Sequence, residues 1–168
     1  LDRFDLHRRL GGGRPGEVYA AFDRLFERDV ALKIYRPPLD IEALTRDFRS
    51  AAEVIHPNVV KVHDLLVEED RGLLAAELFE RRITRDDLWR DGQPERDAAR
   101  RLAQALFDGL AAIHAEGIIH GDIKPSNILV RADRIALADF GVSRRVRDPR
   151  NAGIAGSPAY LAPELFRG

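Results

Sequence analysis

The chain has no cysteine, no methionine, a single tryptophan and only three lysines, Lys33, Lys61 and Lys124. Lack of cysteine excludes disulfides and thiolate metal sites and fits a reducing, cytoplasmic compartment. No apolar run nears the roughly 18 residues that a membrane-crossing helix needs, and no secretory leader is evident; membrane association by other routes stays open. Charge of one sign is also missing: 27 basic residues face 28 acidic ones, so there is no footprint of a nucleic-acid binder. With 24 arginines as the default surface cation, each surviving lysine marks a place where a compact ammonium differs from a planar fork. Lys61 reads as a half-exposed strand residue; the other two lysines fall within motifs.

What is present is enough for a core. The 168 residues are 45% hydrophobic, the size of one domain or of two small lobes sharing a cleft. The most informative stretch runs from Ile118 to Gly141, IIHGDIKPSNILVRADRIALADFG. It sets Asp122 five residues ahead of Asn127, with Lys124 between them, and ends on Asp139 before Phe140 and Gly141. Carboxylate and amide oxygens are what Mg²⁺ takes alongside water and phosphate. Two apolar runs, 128–130 and 135–138, flank a polar RADR turn and predict a hairpin that folds Asn127 and Asp139 back to one end.

HGDIKPSNIL followed by ADFG closely resembles the catalytic loop and metal-binding motif of protein kinases. The resemblance implies an α+β, bilobal, protein-kinase-like fold. A small antiparallel β-sheet N-lobe with one helix would occupy 1–77, and a mainly helical, incomplete C-lobe 78–168. It also implies phosphoryl transfer from ATP with Mg²⁺ to serine or threonine hydroxyls of protein substrates, Lys124 and the later GSPAYLAPE favouring that class over tyrosine kinases. Asp122 would accept the hydroxyl proton, Lys124 would sit against the γ-phosphate, and Asn127 and Asp139 would hold the metal. Leu129 would line the nucleotide site.

Earlier segments fit the same family. Gly11, Gly13, Gly16 and Val18 match GxGxxGxV, and the flanking residues read as two strands, whereas a dinucleotide fold needs a helix directly after the glycines. Pro15 removes one backbone donor from that loop. In DVALKIY, Lys33 lies within an apolar strand; by resemblance to VAIK it would hold the ATP phosphates, with Ala31 lining the adenine pocket. The pattern from Leu39 to Ile55 predicts a helix with Ile41, Leu44, Phe48 and Ile55 on one side. Counting back nine residues from His56 puts Asp47 where the family has a glutamate paired with the lysine. Asp is a methylene shorter, about 1.5 Å, and Glu42 and Glu53 are rivals. Glu77 to Phe79 would form the adenine-binding hinge behind Ala76. A short polar helix is expected over 81–92 with Trp89 packed inward, and a long one over 94–116 closed by Gly117.

Departures from the pattern carry expectations. Gly121 stands where many kinases have arginine, the cation that would receive an activation-segment phosphate. Phosphorylation there is therefore not expected to be the on-switch, although Ser143, Ser157 and Tyr160 are available acceptors, Ser157 being read as structural. Two other classes stay open: HGD also opens the catalytic loop of small-molecule phosphotransferases, and a pseudokinase would bind partners through the same surface. The chain stops soon after Ala162-Pro163-Glu164, whereas the family continues with helices that pack beneath the long one. The expectation is that this piece alone is poorly active, or needs a partner or a further C-terminal segment.

Overall fold

Alternating apolar residues and short hairpin turns organise the first part of the chain into a sheet. In the computed structural model, which describes residues 2–13, 16–68, 71–90, 92–139, 144–145 and 156–166, the chain divides into two units. The first comprises 1–52 and 61–78, the second 53–60 and 79–168.

In the first unit, β1 (Phe4–Gly13), β2 (Gly16–Asp23), β3 (Arg28–Tyr35), β4 (Val62–Glu68) and β5 (Arg71–Glu77) form an antiparallel sheet of order β1-β2-β3-β5-β4. Helix α1 (Ile41–Glu53) interrupts it between β3 and β4. Side chains alternate across the sheet, so one face carries the buried cluster Phe4, Ala21, Val30, Leu32, Leu73 and Ala75. The other carries three rungs read from the register: Gly16-Tyr35-Gly72, Val18-Lys33-Leu74 and Ala20-Ala31-Ala76. Helix α1 packs on this second face, where a Cβ added to Gly72 would stand 2.5 Å from Leu44 Cδ2. Asp40 caps α1 by accepting from the Ala43 N–H at 2.9 Å.

The helix is shorter than its sequence pattern suggested. It ends at Glu53, so Ile55 lies beyond it and is 82% exposed, while Val54 takes the buried position. Lys61 is exposed and sits just ahead of β4; its carbonyl accepts the Glu77 N–H at 2.8 Å.

In the second unit the dominant element is α2 (Arg96–Ala115), close to the expected span and ended at Gly117, whose φ of +68° is a left-handed stop that glycine accepts readily. Around it lie β6 (Arg81–Arg82), β7 (Trp89–Arg90), β8 (Gln93–Pro94), β9 (Ile118–Ile119), β10 (Ile128–Arg131), β11 (Arg134–Leu137) and β12 (Arg144–Arg145). The β10–β11 hairpin forms where the sequence placed it, and β6 extends it to three strands.

The helix expected over 81–92 is absent. Asp87 reaches back to accept from the Thr84 N–H at 2.6 Å and the Thr84 hydroxyl at 2.9 Å, and Arg81 clasps the same carboxylate. These bonds close a single turn over 85–87 and release the chain into the β7–β8 ribbon. The hydrogen bonds from Arg81, helped by those from Thr84, pull the Asp87 carboxyl down to about 2. Trp89 is not packed inward: it is 39% exposed, with the Arg85 guanidinium 5.0 Å from its ring centre. No helix among the described residues is long and apolar enough to cross a membrane.

Candidate active site

The loop from Ile118 to Asn127 is held by its own side chains. His120 is only 1% exposed; its Nε2 lies 3.1 Å from the Ala138 carbonyl and its Nδ1 accepts from the Asp122 N–H at 3.3 Å. Both bonds together specify the neutral ring with its proton on Nε2, and burial pushes its pKa below the ordinary imidazole value. Gly121 turns the chain with φ of +81°, a conformation cheap only for glycine.

Asp122 then becomes the centre of a small network. Lys124 Nζ donates to its Oδ2 at 2.5 Å, and the Ser157 N–H donates to its Oδ1 at 2.8 Å. The Asn127 amide nitrogen donates to the Asp122 carbonyl at 2.8 Å and to Oδ2 at 3.2 Å. Lys124 also donates to the Ser157 hydroxyl at 2.7 Å. Burial on its own would raise the Asp122 pKa, but the hydrogen bonds from Lys124 and Ser157, with the lysine charge, hold it below the usual carboxylate range. The group is therefore an anion at neutral pH, oriented by three partners.

Asn127 is 5% exposed. With its NH₂ committed to Asp122, the amide oxygen is the atom left to act as a ligand. The hairpin register pairs Ile128 with Leu137, and the Ala138 N–H bonds the Asn127 carbonyl at 2.8 Å. Asp139 thus leaves the hairpin beside Asn127, exposed and with φ of +68°, a left-handed conformation that Asp tolerates better than most residues. Phe140 and Gly141, and with them Ser143 and Pro15, lie outside the described residues.

This donor set fits Mg²⁺. Among the described residues no three His, Cys, Asp or Glu cluster as a closed metal cage; one amide oxygen and one carboxylate suit an ion that completes its octahedron with water and phosphate oxygens.

The remaining sequence-predicted residues belong to the first unit, except Phe79 and Leu129. Val18 and Lys33 are direct cross-strand partners, and Ala31, two residues from Lys33, stands between Ala20 and Ala76 on the same face. Lys33 Nζ lies 5.1 Å from the Tyr35 ring centre. Gly11 pairs with Val18 and Gly13 with Gly16 at the open end of β1–β2; at Gly16 a Cβ would stand 2.2 Å from the Ile34 carbonyl oxygen, so no other residue fits without displacing β3. Asp47 is half-buried on α1, and Glu77 ends β5. In the second unit, Leu129 is half-buried in β10, and Phe79 is 4% exposed with the Arg131 and Arg134 guanidiniums 5.2 and 5.1 Å from its ring centre.

The sequence profile of the protein kinase domain matches residues 4–168. The chain belongs to the protein kinase domain family. It is 35% identical to the serine/threonine-protein kinase pkn2 of Myxococcus xanthus, covering 96% of this chain and 21% of that protein. It is 31% identical to the serine/threonine-protein kinase PrkC of Bacillus subtilis and 33% to the serine/threonine-protein kinase PknB of Mycobacterium leprae, covering 99% of this chain and 27% and 29% of those proteins. The chain therefore spans between a fifth and a third of the length of these relatives.

Two contacts of this kinase domain were not drawn from the sequence. The sequence marks Ser157 as structural without disclosing its double engagement with Asp122 and Lys124; the local signal is the preceding Gly156, whose φ of +119° and missing Cβ allow it to sit against the Gly121 carbonyl. The other is Asn58, whose amide donates to the Ile135 carbonyl 77 residues away at 2.7 Å.

Proposed function

We propose that this kinase domain transfers the γ-phosphoryl group of ATP to serine or threonine hydroxyls of protein substrates. The observation that carries the reading is the Asp122 network: an ionised, oriented carboxylate bonded to Lys124, Asn127 and Ser157. Phosphoryl transfer needs little covalent help from a protein; it needs in-line positioning and charge neutralisation, as the general template for this family has it. Asp122 orients the incoming hydroxyl and takes its proton. Lys124, already 2.5 Å from that carboxylate, balances charge beside the transferred group. Asn127 and Asp139 would hold Mg²⁺, which when bound neutralises phosphate oxygens.

Residues 1–77 serve as the nucleotide lobe and 78–168 as part of the catalytic lobe. Gly11, Gly13, Gly16 and Val18 cover the phosphates, Lys33 holds them with Asp47 as its ion-pair partner, and Ala31, Leu129 and the Glu77 to Phe79 hinge take the adenine. The similarity to kinases named for serine and threonine supports that substrate class, and the absence of cysteine fits a cytoplasmic setting. Gly121 stands where many kinases have the phosphate-receiving arginine, and its carbonyl lies where a Cβ on Gly156 would meet it at 2.5 Å, a close approach that supports residues 156 and 157 docking on this loop without a phosphate-receiving cation.

The test is ATP-dependent labelling of serine-containing proteins against aminoglycosides and choline, with Asp122→Asn as control. Loss of a general base costs about 10²- to 10⁴-fold. Turnover on the small molecules alone, or equal turnover by Asp122→Asn, would refute the proposal.

A further inference from the structure

After a turn at 57 and 58 the chain makes a single parallel bridge to β11, Val59 to Leu137. The Leu137 N–H donates to the Asn58 carbonyl at 2.9 Å, and the Leu137 carbonyl accepts from the Val60 N–H at 2.8 Å. In a regular parallel ladder the next carbonyl back, that of Ile135, would be met by the main-chain N–H of residue 58. That N–H is instead turned onto His56 Nδ1 at 3.1 Å, and the Asn58 side-chain Nδ2 takes its place on the Ile135 carbonyl at 2.7 Å. From the other side Gly109 of α2 closes on the same residue: a Cβ there would stand 2.7 Å from the Asn58 carbonyl oxygen.

The consequence falls on Asp139. Every backbone polar group of the two residues before it is bonded: those of Leu137 to Asn58 and Val60, the Ala138 N–H to Asn127, and the Ala138 carbonyl to His120. We infer that Asn58 is a positioning residue for the metal-binding end of the β10–β11 hairpin, replacing with its amide the one ladder bond that the turn at His56 removes. Alanine at 58 would keep the main-chain bonds but leave the Ile135 carbonyl without that donor, loosening the strand that delivers Asp139. The inference rests on the assignment of Asn127 and Asp139 to the metal.

The test is Mn²⁺ binding to the 168-residue chain in the presence of ADP, followed by electron paramagnetic resonance alongside thermal unfolding. Removing a group hydrogen-bonded directly to a metal ligand typically weakens affinity about 10- to 100-fold; Asn58 acts one step further back, through the Ile135 carbonyl, so about 10-fold, the low end of that range, is expected for Asn58→Ala. Ile113→Val, a buried change in α2, is the control for stability: it should lower the melting temperature and keep Mn²⁺ affinity. Should Asn58→Ala fail to fold, Asn58→Ser, whose shorter side chain cannot reach the Ile135 carbonyl as the amide does, is read the same way. Weak binding by Asp139→Asn with affinity in Asn58→Ala within about twofold of the parent would overturn this inference alone. Unchanged binding by Asp139→Asn would overturn the metal assignment and the inference with it.

Discussion

Ser157 engages Asp122 and Lys124 of the 118–127 loop from 35 and 33 residues away: its N–H donates to the Asp122 carboxylate at 2.8 Å and its hydroxyl accepts from Lys124 at 2.7 Å. Ser157→Ala keeps the first bond and removes the second. Hydrogen bonds to charged groups contribute about 1.5–3 kcal/mol, so kcat should fall about 10-fold or more at 1.36 kcal/mol per decade. KM for ATP should barely move, and Ser157→Thr should retain most of the rate. Steady-state kinetics of the three proteins decides it; an unchanged kcat in the alanine variant would show that Lys124 is held without this hydroxyl.

Gly156 makes that seat possible. A Cβ at 156 would lie 2.5 Å from the Gly121 carbonyl oxygen, on a backbone with φ of +119°. Gly156→Ala should therefore displace Ser157 and lower kcat more than Ser157→Ala does. Gly117→Ala is the comparison: it also has positive φ, +68°, but nothing within 4 Å of its Cβ. That variant should cost about 1 kcal/mol of stability from backbone strain alone and leave kcat intact. Equal kinetic effects in the two variants would remove the steric argument.

These contacts mark the boundary of what the sequence discloses. The β10–β11 hairpin was legible because its signal is local: two apolar runs, a polar turn and motif residues at either end, all within 20 residues. Helix α2 was legible for the same reason, its apolar residues from Leu102 to Ile113 recurring at helical spacing within the 20-residue element. The segment 81–92 misled because Asp87 satisfies Thr84 and Arg81 at once, and such a clasp leaves no periodic trace. Asn58, Gly156 and Ser157 act through partners 33 to 77 residues distant, and a single sequence does not say which distant carbonyl a side chain will meet.

His120 supplies a pH signature. Burial holds its folded pKa below the ordinary value of 6.5. Above pH 6.5 both folded and unfolded rings are neutral, and stability is at its full value. As pH falls below 6.5 the unfolded ring takes up a proton that the folded one refuses, so unfolding becomes easier. Half-buried His63 is shifted the same way by burial and by Arg28. Urea denaturation at pH 7.5 and 5.5 should show lower stability at the acid value, with a smaller difference in His120→Asn. An unaltered difference would assign the slope to His63 or elsewhere.

Glu17, opposite Gly12, braces the glycine-rich ribbon near its open end. It accepts from Arg9 of β1 at 3.1 Å and from Arg36, just past β3, at 2.5 Å. Both arginines are largely exposed, so the pairs contribute little to global stability, about 0.2–1 kcal/mol each. Their effect should appear in nucleotide binding: Glu17→Gln is expected to weaken ATP binding about threefold, a loss of that same size, with a melting temperature close to the parent's. Isothermal titration with ATP checks it, and unchanged affinity would mean that the ribbon keeps its shape unaided.

At the end of the same sheet away from the glycine turn, Arg3 joins Asp23 and Asp64. Its guanidinium meets the Asp23 carboxylate through two bonds of 2.9 and 2.8 Å and reaches Asp64 at 2.6 Å. Asp23 is fully buried, and the Arg3 hydrogen bond holds its pKa down against the opposing effect of burial. Taking both charges out of water is costly, so the pair is not a simple gain; removing one partner is worse, because it strands the other. Asp23→Ala should cost about 3 kcal/mol. The double change Arg3→Met with Asp23→Leu should cost less than that single one, since it leaves no fully buried charge: Asp64, which also loses its guanidinium, is 35% exposed and can be solvated, and a thioether can still lie against Phe4 and Phe26, whose rings now sit 4.8 and 5.1 Å from the guanidinium carbon. Chemical denaturation of the two variants separates the accounts: if the double variant is the less stable, the ion pair outweighs its desolvation and holds β1 to β2 and β4 by its own attraction.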